Sequence, residues 1–370
     1  MDRDGAENAK AEIFQRAFGY AEVPGAQDVQ DGAPIFEAAP DSAAGARIRQ
    51  ARQERTLAQS EQIAVGILRP QDAGRGGRAA EIGLFVQRKR LADHRIVEAA
   101  RRIARNEVRI VVTGPVRGQA ANAGRCRPLR IGASVGHHRA TAGTIGCFAI
   151  CRKTGMVGLV SNNHVLAQSN RAAAGDDVLQ PGRIDGVRDG RSLNRIASLG
   201  AFVPIDFTPN APNYVDCAFA PLAGSPGHDG STIAPLDGSV PNQPMGICED
   251  LIFDRVEVRK VGRTTGPTKG FVQAISVDNL TVQMASGPRP RYALFHRQIA
   301  ISGVERRFSK PGDSGSLIYI RNGNPVALLF AGAASGGDFG HGVTFANPIQ
   351  AVLDALEIDL YTGSSGGSHV

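Results

Sequence analysis

Apolar residues along this chain come mostly in short runs divided by turn formers, the pattern of a protein built from strands. Residues 63–68 and 80–86 read as two strands. Between Asp93 and Arg105 the apolar positions Ile96, Val97, Ala100, Ile103 and Ala104 recur at helical spacing, and 108–112 reads as a third strand. Together they predict a small α/β unit over 57–125, packed as an accessory domain against the larger C-terminal part of the chain. Residues 1–56, rich in Ala, Gly, Asp, Glu and Pro, lack sustained periodicity and read as an irregular or loosely helical segment.

From 126 to 360 the runs shorten. Strand-like stretches fall at 146–151, 156–160, 197–204, 215–220, 254–261, 271–277, 317–320 and 326–330, and 349–356 reads as a closing helix. Arg152-Lys153-Thr154-Gly155 joins the first two stretches as a hairpin that delivers the chain to His164. Residues 361–370 are a Gly/Ser-rich tail, and no repeat of solenoid or propeller period occurs.

Three polar residues interrupt this pattern in a way that points to chemistry. Ser314 lies in Pro311-Gly312-Asp313-Ser314-Gly315-Ser316, a tight glycine turn that exposes a hydroxyl and aims backbone N–H groups at one point. His164 stands where the apolar strand ending at Ser161-Asn162-Asn163 hands over to a short helix. Asp216 is a carboxylate inside the apolar stretch 214–220, costly to bury unless a cation or hydrogen-bond donor meets it. Singly, these residues read as a helix cap, a partner for an arginine and a turn serine. As a set, their order His, Asp, Ser is that of chymotrypsin-type triads, and Ser316 excludes the Gly-x-Ser-x-Gly elbow of α/β-hydrolases.

At this point the chain resembles the trypsin-like serine peptidases over about residues 126–360. The motifs are Thr144-Ile145-Gly146-Cys147, 161–167, 215–222, 260–266 and 312–317. Within them, Gly262-Arg263-Thr264-Thr265-Gly266 looks like the strand that opens the second barrel in bacterial members. The set is similar to cytosolic trypsin-like proteins, the plant narrow-leaf type included. The resemblance implies a mainly β, chymotrypsin-like double β-barrel with the small N-terminal α/β accessory domain beside it. It also implies a serine endopeptidase: Ser314 as nucleophile, His164 as general base, Asp216 orienting the imidazole, and the N–H groups of Gly312 and Ser314 as the oxyanion hole. The alternative is a catalytically silent protease fold serving as a peptide-binding or scaffold module.

For specificity, the resemblance places the pocket walls at Phe308 and at Phe330, Ala331 and Gly332. Phe308 stands about where trypsin carries a carboxylate, so an apolar or small side chain is expected in place of Arg or Lys. His341, in a glycine-rich loop, favours acidic side chains if it reaches the pocket and is a solvated histidine otherwise. Secreted relatives free an Ile terminus whose ammonium pairs with the Asp beside the nucleophile. Arg130-Ile131-Gly132 has that form, with Asp313 as the partner, unless Ile131 simply starts the first strand.

Composition narrows the remaining classes. Five cysteines without a Cys-x-x-Cys pair, with Cys147 and Cys151 on one face of a strand, read as reduced small hydrophobes. No metal or cofactor is expected. The N-terminus has no basic segment leading into an apolar one, and no apolar run approaches the roughly 20 residues of a membrane span, so the expectation is a cytoplasmic protein without a membrane partner. The net charge of +7 includes Arg88-Lys89-Arg90 and Arg101, Arg102 and Arg105. With 5% aromatics and no Trp there is no stacking platform, so these read as a solvated helix face and nucleic acid is not expected. The expected partners are a protein or peptide substrate and a regulatory protein at the N-terminal domain.

Overall fold

The computed structural model describes residues 1–19, 59–70, 79–114, 124–140, 142–186, 194–223, 228–229, 250–285 and 290–361. The predicted tail and most of the N-terminal segment lie outside them.

The strand Glu257–Gly262 pairs on one side with Leu317–Ile320 and on the other with Gly266–Asp278. From Leu317–Ile320 the sheet continues through Pro325–Ala333, Val343–Pro348 and Gln298–Gly303, then back to Gly266–Asp278, closing a six-stranded antiparallel barrel. Closure removes the unpaired edges that an open sheet would present.

The preceding half is a second curved assembly. Ser134–His137 bridges Gly143–Thr144 and Asp177–Leu179, which pairs with Arg195–Ser198. Cys147–Cys151, Val157–Ser161, Ala218–Pro221 and Ala201–Phe202 form the other layer. Alternate residues of both layers point inward, so Val135, Phe148, Leu159, Val178, Ile196 and Ala218 share one apolar cluster with Val261 and Tyr319 of the closed barrel. The architecture is the mainly β, chymotrypsin-like double β-barrel. After the helix Ile349–Ala355, the strand Ile358–Leu360 returns to pair with Cys147–Cys151, tying the end of the second half to the first.

The N-terminal α/β unit has the elements its apolar pattern predicts. Ile63–Leu68 and Glu81–Val86 are antiparallel strands, Arg95–Ile103 is a helix, and Val108–Val112 lies parallel to Glu81–Val86. Ile63–Leu68 also pairs with the 274–278 end of the long barrel strand, so the three strands extend the second-barrel sheet to nine. Ile13, Phe14, Ile96 and Val97 pack in one cluster with Ile299, Ile301 and Ile318 of the barrel. The helix Arg3–Ile13 is capped by Asp2, which accepts from the Gly5 N–H at 2.8 Å. Its Lys10 meets buried Asp278 at 2.7 Å. The strands Ile63–Leu68, Glu81–Val86 and Val108–Val112 therefore share the sheet of the second barrel, and the helices around them share its core. No helix among the described residues is long and apolar enough to cross a membrane.

Candidate active site

The strand Val157–Ser161 ends at the seam between the two halves, and one helical turn, Asn163–Leu166, presents His164 there. Asp216 is fully buried and lies in the extended stretch just before Ala218–Pro221, outside the strand that the sequence assigned to it. Side chains take the place of ladder partners: the Asp216 N–H donates to Asn347 Oδ1 at 3.0 Å, and its carbonyl accepts from Asn162 Nδ2 at 2.7 Å. Asn347 is fixed in turn by donating to Gln298 Oε1 at 2.6 Å. The carboxylate then has one orientation, with Oδ2 2.5 Å from His164 Nδ1 and Oδ1 accepting the His164 backbone N–H at 3.2 Å. Two donors replace the water lost on burial. Because Asp216 claims the proton on Nδ1, the free lone pair of the neutral imidazole is on Nε2, which is buried and has no hydrogen-bond partner.

The Ser314 loop is built on left-handed glycines, Gly312 at φ +97° and Gly315 at φ +91°. A side chain at Gly315 would collide with Ser161 Oγ and the Thr144 carbonyl. The N–H groups of Asp313, Gly315 and Ser316 are all engaged, by Lys310 O, Leu329 O and Asp313 O at 3.1, 2.7 and 2.9 Å. Those of Gly312 and Ser314 donate to nothing among the described residues. The loop is pinned to the first half by Thr144, whose N–H donates to Ser314 O at 2.8 Å and whose hydroxyl donates to Gly312 O at 2.7 Å. At Gly143 an added methyl would meet Val165 Cγ2 at 2.5 Å and Ser314 O at 2.8 Å, so glycine there lets the histidine turn and the serine loop close on each other. Ser314 Oγ makes no hydrogen bond to His164 Nε2.

Asp313 turns away from this surface. Its Oδ1 accepts from the N–H groups of Thr264 and Thr265 at 2.8 and 3.1 Å, and its Oδ2 from Lys310 N–H and Thr265 Oγ1 at 2.9 and 2.7 Å. Lys260 Nζ completes the shell 3.3 Å from Oδ2, with neither side chain exposed. Burial pushes the Lys260 pKa down to about 8, the Asp313 charge opposes that fall, and the Arg306 charge adds to it. Gly262 is required beside this pair, because a Cβ there would overlap Asp313 Oδ1. Arg263 clamps Asp185 with two 2.7 Å bonds and so ties the same strand end to the first half.

Ile131 is buried in the first-half core and Gly132 N–H donates to Ile145 O at 2.8 Å, while the carboxylate a freed terminus would seek is already paired with Lys260. Lys260 and Asn347 are the site residues that sequence reasoning missed.

Of the residues assigned to the specificity pocket, Phe308 is buried with Val272 and Ile301, its ring 5.8 Å from Lys260 Nζ. The Phe330 ring packs 4.7 Å from that of Phe295 in the barrel core, and Ala331 and Gly332 are buried on the same strand, with Gly332 opposite Thr344. Thr344 Oγ1 shares a 2.7 Å hydrogen bond with Ser309 Oγ. His341 lines a cleft of about 480 Å³ with Thr264, Thr265, Glu305, Arg306, Arg307 and Lys310.

One cluster of metal-ligand type exists among the described residues: His137, His138 and Asp176, with ligand atoms within 4.8 Å of one another. Its hydrogen bonds assign another role. His137 Nδ1 accepts the Arg139 backbone N–H at 3.0 Å, so the ring proton is on Nε2 and is donated to Asp176 Oδ2 at 3.0 Å. The cysteines Cys126, Cys147, Cys151 and Cys217 are free, and burial pushes the Cys147 thiol up to about 12. Cys248 lies outside the described residues.

No protein-family model and no curated protein matches the chain. Among solved structures, Protease A of Thermobifida fusca is similar over 64% of this chain and 99% of its own, at 15% identity and a TM-score of 0.42. Nocardiopsis protease is similar over 63% and 99%, at 18% identity and a TM-score of 0.42. Cellulomonas bogoriensis chymotrypsin is similar over 63% and 98%, at 15% identity and a TM-score of 0.40. The double barrel stands on the strand pairing described above; these likenesses add nothing about chemistry.

Proposed function

We propose that the chain is a serine endopeptidase acting through His164, Asp216 and Ser314. The observation that carries this reading is the 2.5 Å contact between His164 Nδ1 and fully buried Asp216, which leaves Nε2 as a free base beside a loop with two unengaged N–H groups. In the reaction the Ser314 hydroxyl attacks the peptide carbonyl carbon while Nε2 takes its proton. The resulting oxyanion is received by the N–H groups of Gly312 and Ser314, each such donor typically worth about 2.7–4 kcal/mol in the transition state. Collapse expels the amine, which takes the proton from Nε2, and water then repeats the sequence on the acyl-enzyme. Asp216 keeps the proton on Nδ1 throughout and stabilises the imidazolium.

In this reading the substrate side chain before the scissile bond runs along Ala331 and Gly332 and is apolar or small; the rings of Phe308 and Phe330, assigned to the pocket from the sequence, are buried in the barrel core and form no wall of it. The finer kinship to cytosolic, narrow-leaf-type proteins rests on the five motifs and goes with a cytoplasmic enzyme of few protein substrates, regulated by a partner at the N-terminal unit.

A second reading, a silent fold that binds peptides, is favoured by the missing hydrogen bond between Ser314 and His164. In resting enzymes that bond is commonly long and tightens with substrate. A fluorophosphonate probe separates the two: labelling abolished by Ser314→Ala and His164→Ala supports the enzyme, and no labelling of folded wild-type protein supports the silent fold.

A further inference from the structure

The 480 Å³ cleft beside the nucleophile loop has an unusual charge content. Arg306, Arg307 and Lys310 line it with His341, and among the described residues the only acid lining it is Glu305. Among the described residues none of the three cations has a carboxylate within 4 Å; Arg306 donates one N–H to Pro267 O at 2.7 Å, and Arg307 and Lys310 have no side-chain partner. Three permanent cations against one carboxylate, all at exposed positions around one open cleft, leave a surplus of two positive charges there.

We propose that this cleft binds a small, multiply charged phosphate-bearing anion. Two guanidinium forks suit the planar oxygen pairs of phosphoryl groups, and a single carboxylate would leave the surplus unmatched. The volume is in the range of roughly 300–1,000 Å³ typical of small-molecule sites and exceeds what one orthophosphate fills. The walls are fixed beforehand: Thr264, Thr265 and Lys310 all donate backbone N–H groups to Asp313, and Thr264 Oγ1 donates to Pro311 O. Through these bonds to Asp313 the walls of the site are tied to the loop that carries Gly312 and Ser314. Arg306 is also among the charges that press on Lys260, so an anion there relieves that pressure.

The test is calorimetric titration of inorganic tripolyphosphate into the full chain carrying Ser314→Ala, at 0.15 M salt, so that the result does not depend on catalysis. The expected result is one saturable site, with Kd at least tenfold weaker in folded Arg307→Ala/Lys310→Ala protein and in Arg306→Gln, and unchanged in the remote Arg101→Ala/Arg102→Ala control. Equal weakening in the control, or no saturable binding, overturns the site. A tetraglutamate peptide that binds as tightly as tripolyphosphate with the same sensitivities overturns the phosphate assignment.

Discussion

Lys260 Nζ lies 3.3 Å from Asp313 Oδ2, and neither side chain reaches solvent. The residue next to the candidate nucleophile is thus held by a cation from the strand that opens the second barrel, and the loop conformation that leaves the Gly312 and Ser314 N–H groups unengaged depends on that strand. Lys260→Met removes the cation but leaves the four hydrogen bonds from Thr264, Thr265 and Lys310 to the Asp313 carboxylate, so the cost is expected to stay below the about 3–5 kcal/mol of a buried charge left wholly unpaired. Urea denaturation measures it; Lys260→Arg, which keeps the charge, is expected to lose much less.

The same pair gives an alkaline signature. Burial lowers the Lys260 pKa from 10.5 to about 8, so between those values the unfolded chain holds a proton that the folded one has released. The unfolded state then binds more protons, and this group's contribution to stability rises with pH across that window. Function runs the other way, because above about pH 8 Asp313 loses its cation. Fluorophosphonate labelling is expected to fall above pH 8 without matching loss of thermal stability, and Lys260→Arg is expected to move that fall to higher pH. Parallel loss of both would contradict the assignment.

Asp216→Asn keeps the shape of the buried side chain but can donate to Nδ1 where the carboxylate only accepts. In triads of this geometry that change lowers turnover by about 10⁴-fold. The expected outcome here is a comparable loss in peptide hydrolysis or labelling rate with little change in circular dichroism. Retained activity would remove Asp216 from the mechanism.

Gly262→Ala forces a methyl against Asp313 Oδ1. Overpacking of this kind typically costs about 1–3 kcal/mol. The substitution is expected to lower the melting temperature and the labelling rate together, since the carboxylate it displaces holds the loop.

Burial alone would lift the Asp278 carboxyl, but Lys10 and His296 override it and hold it below the ordinary carboxylate range. A depressed carboxyl gives stability that is complete above its unfolded value of 3.8 and is lost as pH falls through the folded one. Lys10→Met is expected to cost about 3–5 kcal/mol at neutral pH and to expose the first helix to limited proteolysis.

The candidate triad was legible because its three residues break an apolar pattern in a fixed order. Lys260 was not, since a lysine in a strand reads as solvated. The available signal was period two: Val258 and Lys260 share a face, and Val258 is fully buried. Asn347 was hidden because an amide reveals its role only through the partners it reaches across the fold. The N-terminal strands were visible, but their pairing with 274–278 joins segments some two hundred residues apart, and local periodicity carries no information about such registry.

The shared nine-stranded sheet means that the double-barrel part of the chain is not a separable module. Cutting the chain near residue 125 leaves the 274–278 strand with an open hydrogen-bonding edge and strips the apolar cover from Ile299, Ile301 and Ile318. A shortened version of this protein therefore begins life as an aggregation template, and its minimal working unit takes in the N-terminal strands and the first helix.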